Sequence, residues 1–386
     1  MGKITMSHKE LKHYRLAMDV IEGKLTIVDL AIQINKSYRQ AQRIVKKIKD
    51  KGAPGALHGN SNKIPHNKIP IEIEVKIVDL LKHKYKNFNL THFREKIEVL
   101  ENLSIKKDSL HRIARKHGLV KYPKRRGRRC HKPRPRLPRE GMMIQFDGSN
   151  HVWFGEDRTD LIGGIDDATG IVVAAEFFYG ETSNNSLKVI REVVDNYGLP
   201  ESFYMDQAGI YGKKDREWES QISRAFDQTG IQLLIAGSSQ AKGRIERLWR
   251  TFQDRLVAEL EFYNIDSFDE ANTFLKEVFI PEYNLKFTVE AEEKKSAYRK
   301  NVFGDLDIIF CKKIMRKVMV GNVFSWDNIT WIVDEKKCFY GREINVNIHL
   351  DGSYSFDIMG RKVQCKVSNR KRLSDYGDKS KLRKRA

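Results

Sequence analysis

The sequence predicts a multidomain chain with an all-α head, an α/β middle and a small β-rich module towards its C-terminal end. Three observations carry this. Residues 7–118 hold apolar side chains at helical spacing. From Gly141 onward, short apolar runs of strand character alternate with amphipathic ones. Residues 300–370 break into brief strand-like runs separated by turn residues.

The formal net charge of +20 is unevenly spread. Residues 1–140 hold 35 Lys/Arg against 13 Asp/Glu, residues 141–360 hold 25 against 36, and residues 361–386 hold 11 against 2. A basic arm, an acidic middle and a basic tail imply a polyanionic partner, and nucleic acid comes first because phosphate neutralisation releases counterions. A membrane partner is disfavoured. No apolar run is long enough to span a bilayer, and MGKITMSHKE lacks the apolar stretch of a signal peptide. The expected location is the cytoplasm. Four separated cysteines, Cys130, Cys311, Cys338 and Cys365, suit neither a disulfide framework nor a zinc site; reduced, mostly buried thiols are expected.

The head reads as three helices. Leu11, Tyr14, Met18 and Ile21 stripe the first, which Gly23 ends; Thr26 caps LTIVDLAIQI, and Ser37 caps YRQAQRIVKKIKDKG. Two short helices, a tight turn and a polar, basic last helix fit a helix-turn-helix domain over residues 1–52. Arg39, Gln40, Gln42, Arg43 and Lys46 are its candidate DNA contacts, since Arg and Gln near the helix start pair with base edges. A helical hairpin with a solvated charged face is the plainer alternative. Residues 53–70 form a linker rich in Gly, Pro and Asn. Residues 71–120 repeat the theme as a second, weaker helix-turn-helix domain, with Arg112 on its last helix. Residues 121–140 form a basic arm. Its stretch 121–139 holds ten Lys/Arg and four prolines, so Arg125, Arg126, Arg128 and Arg129 should lie extended along phosphates or in a minor groove.

The middle, residues 141–290, reads βββαβαβα. MMIQFDG, LIGGIDD and GIVVAAEFFYG make an antiparallel meander, NNSLKVIREVVDNYG a helix, SFYMD a strand, residues 215–229 a helix with Trp218, Ile222 and Phe226 on one face, and IQLLIAG a strand. A long helix then runs from near Gln240 to Phe262. This order is that of a ribonuclease-H-like fold. KVMVGNVFSW, NITWIVD, EINVNIHL, GSYSFDIM and KVQCKV predict a small β-barrel or half-barrel over 300–368, and 369–386 a disordered basic tail.

Three acids stand out by position. Asp147 ends the first strand of the core, Asp206 ends the fourth, and Glu246 lies early in the last helix. Neighbouring strands and a crossing helix can gather such acids, and two magnesium ions about 3.5–4 Å apart stabilise an in-line phosphoryl displacement. The chain has 51 acids, most of them solvated. Asp166 and Asp167 read as turn residues of a hairpin, and Asp157 and Asp160 as loop residues. Lys242, Glu246 and Arg250 fall at i, i+4 and i+8, which puts them on one exposed helix face with Arg244 to the side. Trp153 and Trp249 suit either base stacking or core packing, with packing favoured for Trp249.

The blocks FDGSNHVWF, LIGGIDDATGIVVAAEF, FYMDQAG, SSQAKGRIERLWRTFQDRLVAEL and FIPEYNLKF resemble the catalytic core of bacterial insertion-sequence transposases of the DDE superfamily, ISNCY type, with retroviral-type integrases as relatives. The head resembles the DNA-binding head of the same group, and the resemblance spans residues 5–290. It implies that Asp147, Asp206 and Glu246 are the catalytic, metal-holding triad. It implies that Lys242 and Arg244 contact the terminal DNA. Ser239 replaces a usual Pro, and His151-Val152-Trp153 replaces a usual His-Asp-Trp; neither change removes a triad acid. The implied activity is binding of terminal inverted repeats, magnesium-dependent end hydrolysis (manganese as substitute) and strand transfer into target DNA. A homodimer or larger synaptic assembly is expected, because two ends are joined. The alternatives are a DNA-binding regulator with an inactive core, and a structure-specific nuclease of the same fold.

Overall fold

The computed structural model describes residues 4–60, 68–120, 134–206, 221–236 and 242–368. Arg125, Arg126, Arg128 and Arg129 of the expected arm, Trp218, Ser239 and the tail lie outside the described residues, as does Cys130. The chain divides into two compact units, Met1–Lys76 and Ile77–Ala386.

In the first unit, α1 (His8–Ile21), α2 (Ile27–Ile34) and α3 (Tyr38–Lys51) pack around Leu30, Ala31, Ile34 and Ala41. Each begins with a capping box: Ser7 with Glu10, Thr26 with Asp29, Ser37 with Gln40. Asn35, in the left-handed region at φ 52°, makes the turn between α2 and α3. Glu10 also accepts from the His58 amide at 2.8 Å. Backbone N–H bonds from Ser7 and His58 hold its carboxyl down at about 2. Thr26 and Ser37 are therefore the caps that the sequence predicts.

The second unit carries a mixed sheet. Its strands are β1 (Ile144–His151), β2 (Thr159–Asp166), β3 (Val172–Phe178), β4 (Ser202–Met205) and β5 (Gln232–Ile235), in the order β3-β2-β1-β4-β5. β1, β2 and β3 pair antiparallel, while β4 and β5 extend the sheet in parallel. The intervening helices α7 (Ser183–Tyr197), α8 (Gln221–Thr229) and α9 (Gly243–Phe262) complete the expected βββαβαβα order. Asp160, expected in a loop, lies on β2, where its Oδ1 accepts from Asn150 Nδ2 at 2.8 Å.

The sheet has two covered faces. α7 and α8 bury Ile144, Phe146, Ile162 and Phe203 on one side, with Phe203 stacked on Phe226. α9 and the helical stretch α10 (Phe268–Phe274), Leu275–Phe279 and α11 (Ile280–Phe287) cover Leu161, Ile165, Ala175 and Phe177 on the other. Trp153 and Trp249 both belong to this second core, and the Trp153 indole donates to the Ser149 carbonyl at 3.0 Å. Both therefore pack; Trp153 is not free to stack on a base.

Three further helices, α4 (Ile71–Lys82), α5 (Leu90–Leu100) and α6 (Lys107–Lys116), precede the sheet. α5 docks on the back of α9. His92 and Lys96 both meet buried Glu259, at 2.7 and 2.8 Å, and Arg255 meets Glu95 at 2.7 Å.

After α12 (Leu306–Ile309), the C-terminal module, expected as a small barrel or half-barrel, forms two sheets and no closed barrel among the described residues. One has the order β11-β10-β9-β6, from β6 (Lys312–Lys317), β9 (Glu343–Ile348), β10 (Tyr354–Ile358) and β11 (Arg361–Val363). The other has the order β12-β8-β7, from β7 (Val323–Trp326), β8 (Ile329–Val333) and β12 (Cys365–Val367). They share a core around Phe324, Trp331, Val346 and Phe356. The chain crosses between them at Gln364, and no pairing among the described residues joins their edges into a closed ring. KVMVGNVFSW is not one strand, because Gly321 and Asn322 both turn at positive φ and split it. Of the described cysteines, Cys311 is buried, Cys365 half-buried and Cys338 exposed, so the expectation of mostly buried thiols holds for Cys311 alone. Among the described residues, no helix is long and apolar enough to cross a membrane.

Gly163 sets how closely α9 approaches the sheet. A Cβ there would meet the Ala175 Cβ at 2.8 Å, the Ala174 carbonyl oxygen at 2.9 Å and the Trp249 ring at 3.1 Å. Gly163→Ala should cost about 1–3 kcal/mol by overpacking. Gly243→Ala, with nothing within 4 Å of its added Cβ, should leave stability nearly unchanged. Thermal unfolding of the two variants beside wild type checks this, and equal melting temperatures would contradict the packing.

Candidate active site

β1 alternates its side chains between the two faces. Ile144 and Phe146 enter the core under α7, while Gln145 and Ser149 meet α9. Asp147 lies between Gln145 and Ser149 in that polar row. Gln145 is fully buried, and its Oε1 accepts from the Ile245 amide at 3.2 Å, satisfying one free N–H of the first turn of α9. Ser149 receives Gln253 Nε2 at 3.2 Å further along the helix. Asp147 is thus placed on the strand between two points where the strand grips the helix.

β4 runs parallel to β1, with Ile144 opposite Phe203 and Gln145 opposite Tyr204, and Asp206 follows directly after it. The ammonium of Lys242 joins the two acids. Its Nζ lies 2.7 Å from Asp147 Oδ1 and 3.6 Å from Asp206 Oδ2. Lys242 is buried, with 5% of its side chain exposed, against 20% for Asp147 and 45% for Asp206. Burial pushes the Asp147 carboxyl above its ordinary range. Lys242 opposes that shift, and the nearby Asp206 charge adds to it.

Lys242 does not share the exposed face of Glu246 and Arg250 that its spacing suggests. It is the N-cap residue of α9, at φ −94° and ψ 29°, so the helical count does not reach it. Glu246 and Arg250 are exposed on the helix itself. Arg244 turns inward, its Nε 2.7 Å from Asp167 Oδ1. Arg39, Gln40, Gln42, Arg43 and Lys46 are exposed along α3, and Arg112 on α6. Gln40 spends its side-chain oxygen on the Ser37 amide at 3.3 Å.

Asp166 and Asp167, read from sequence as turn acids, are both buried. Asp166 closes the hairpin turn by accepting from the Thr169 amide and hydroxyl, each at 2.8 Å. Asp167 and Gln145 are functional candidates that the sequence reading missed. The available signal was a glutamine inside the apolar run MMIQF, where an amide must find a buried partner.

The pair Asp147–Asp206 offers the all-oxygen donors that a hard divalent cation takes. The ammonium between them shows that the pair accommodates a positive charge. Among the described residues, no three His, Cys, Asp or Glu side chains stand close enough together to hold a metal. Two of the predicted triad are brought together, and Glu246 stands on the adjoining helix turn.

Removing the Lys242 ammonium removes the main influence that lowers the Asp147 pKa. Lys242→Met should therefore move the Asp147 titration midpoint upward in the metal-free protein, as read by carbon-13 NMR of labelled aspartate. A midpoint that stays or falls would show that the ion pair is not formed in solution.

No family model matches the chain. It is 30% identical to the putative transposase y4bF of Sinorhizobium fredii (strain NBRC 101917 / NGR234), over 97% of this chain and 87% of that protein. It is also 30% identical to the transposase for insertion sequence IS1202 of Streptococcus pneumoniae, over 72% of this chain and 68% of that one. Among solved structures, the HTLV-2 integrase catalytic core domain in complex with magnesium is similar over 36% of this chain and 89% of its own, at 16% identity and a TM-score of 0.29. The simian T-cell lymphotropic virus intasome in complex with PP2A regulatory subunit B56 gamma matches over 69% of this chain and 93% of its own, at 12% identity and a TM-score of 0.36. With 30% identity across nearly its full length, the chain belongs to the insertion-sequence transposases.

Proposed function

We propose that this transposase binds the terminal inverted repeats of its element, hydrolyses the DNA ends in a metal-dependent step and transfers them into target DNA. The observation that carries this reading is the meeting of Asp147 and Asp206 on one ammonium, where a strand and its parallel neighbour come together beside the start of α9.

Asp147, Asp206 and Glu246 would hold two magnesium ions, or manganese in their place. Bound there, the ions supply a nucleophile at neutral pH and stabilise the attacking and leaving oxygens at phosphorus. The chain's own groups prepare the rest. Asp147 lies on β1 and Asp206 directly follows its parallel neighbour β4, so the sheet brings the two carboxylates to one place. Lys242 keeps a positive charge at the carboxylates and has donors suited to a phosphate oxygen. Arg250, exposed two turns beyond Lys242, is placed to neutralise the backbone of the DNA end. The exposed Arg39, Gln42, Arg43 and Lys46 of α3 supply base and phosphate contacts, and Arg112 of α6 adds phosphate contacts. The basic residues Arg125, Arg126, Arg128 and Arg129 would track the backbone between these regions. Joining two ends calls for a homodimer or a larger synaptic assembly.

A strand-transfer assay tests the reading. Purified protein, a labelled inverted-repeat end and a plasmid target are combined with magnesium or with chelator, beside Glu246→Gln and Asp147→Asn. Joined product should require metal and fall on the order of 10³-fold in each variant. Cleavage without joining would favour a nuclease of the same fold. DNA binding with neither activity, in magnesium and in manganese, would leave a DNA-binding regulator with an inactive core.

A further inference from the structure

A second buried carboxylate lies outside the Asp147–Asp206 pair and grips the same helix. Asp167 opens the turn between β2 and β3, and its side chain is wholly buried. Its Oδ1 accepts from Arg244 Nε at 2.7 Å, from Gln145 Nε2 at 2.8 Å and from the Arg134 guanidinium. Its Oδ2 accepts from the Leu137 amide at 3.1 Å. Gln145 passes the connection on through its Oε1, which receives the Ile245 amide. Arg244 also donates to the Arg134 carbonyl at 3.2 Å, and Arg136 to the Ala168 carbonyl at 3.0 Å.

A turn aspartate needs only its own backbone for partners. Asp167 instead joins four segments: the hairpin, β1 at Gln145, the first turn of α9 and residues 134–137 at the end of the basic arm. An unpaired buried carboxylate is strongly disfavoured, so these partners are held in place as firmly as the charge is buried. The two chains of bonds that leave Asp167, through Arg244 and through Gln145, both end on the helix turn that carries Glu246 and follows Lys242.

We propose that Asp167 is a positioning residue for the transposition reaction. It acts through Arg244 and Gln145 to hold the first turn of α9 against β1, and it fixes the end of the basic arm to that same turn. A DNA contact made by the arm is thereby mechanically connected to the helix bearing Glu246. The catalytic consequence rests on the function proposed above; the anchoring itself does not.

Amide hydrogen exchange on the full chain, without DNA or metal, tests the anchoring directly. In Asp167→Asn the amides from Gly243 to Arg247 should exchange roughly tenfold faster, with those of β3 and the C-terminal module unchanged. Arg244→Gln, at a partly solvated position, should show the same local pattern and carries the test if Asp167→Asn fails to fold. In strand transfer, both variants should lose kcat with little change in KM for the end DNA. Unchanged exchange at Gly243–Arg247 in both variants would overturn the proposal. So would exchange that rises equally throughout the core, which would mark Asp167 as a folding residue only. Weakened DNA binding by Arg244→Gln with unaltered exchange would make Arg244 a DNA contact and also overturn it. Local loosening in a chain whose wild type joins no DNA would uphold the anchor and count against the proposed function instead.

Discussion

The grip of β1 on the first turns of α9 is the constraint on which the rest of the site depends. A central strand buried on both faces ordinarily carries apolar side chains throughout. Here one face of β1 presents Gln145, Asp147 and Ser149. Burying such groups is unfavourable unless every hydrogen bond is made. Gln145 meets this by serving the Ile245 amide and Asp167 together, and Ser149 by receiving Gln253. The register of helix on strand is thus set by polar matches, which tolerate little sliding. The glycine at position 163, opposite Asp147 on β2, lets Trp249 come close enough for those matches to form.

Charge is arranged around this seam with the same logic. The first turn of α9 is flanked by two cation–carboxylate assemblies, buried Lys242 with Asp147 and Asp206, and Arg244 with buried Asp167. Further along the helix, Glu259 is buried between His92 and Lys96 of α5, and those partners pull its pKa below the usual range against burial. Helix α9 is therefore fixed from the strand side at its start and from the α5 side near its end. Its exposed residues Glu246 and Arg250 lie between these fixed regions.

Much of this was legible in the sequence, for local reasons. Strand and helix periods gave the βββαβαβα order, and Ser and Thr before apolar runs marked the caps of α2 and α3. Asp147 and Asp206 stood out as acids following apolar runs; Asp206 does follow the end of β4, but Asp147, expected to end its strand, lies inside β1, which runs on to His151 because Gly148, Ser149 and Asn150 still pair with β2. Most of the losses depend on partners far away in the chain. Asp167 looks like a turn residue locally, yet Arg244 is 77 positions away and Arg134 is 33 away. Lys242 seemed to share a face with Glu246 because helical spacing was applied one residue beyond the helix. A small barrel or half-barrel was expected from strand content alone, but closure depends on edge pairing, and the strands divide into two sheets between which the chain passes repeatedly. Trp153 offered base stacking as readily as packing until Phe177 and α9 were seen to enclose it.

In the proposed function, Asp147 and Asp206 together hold the metal of the reaction. Anomalous diffraction from crystals of the transposase bound to its end DNA and grown with manganese tests it most directly. The account predicts a strong peak at the carboxylates of Asp147 and Asp206, with Glu246 nearby and the Lys242 ammonium moved off Asp147. A peak elsewhere, or none with Lys242 still seated on both acids while DNA is bound, would contradict it.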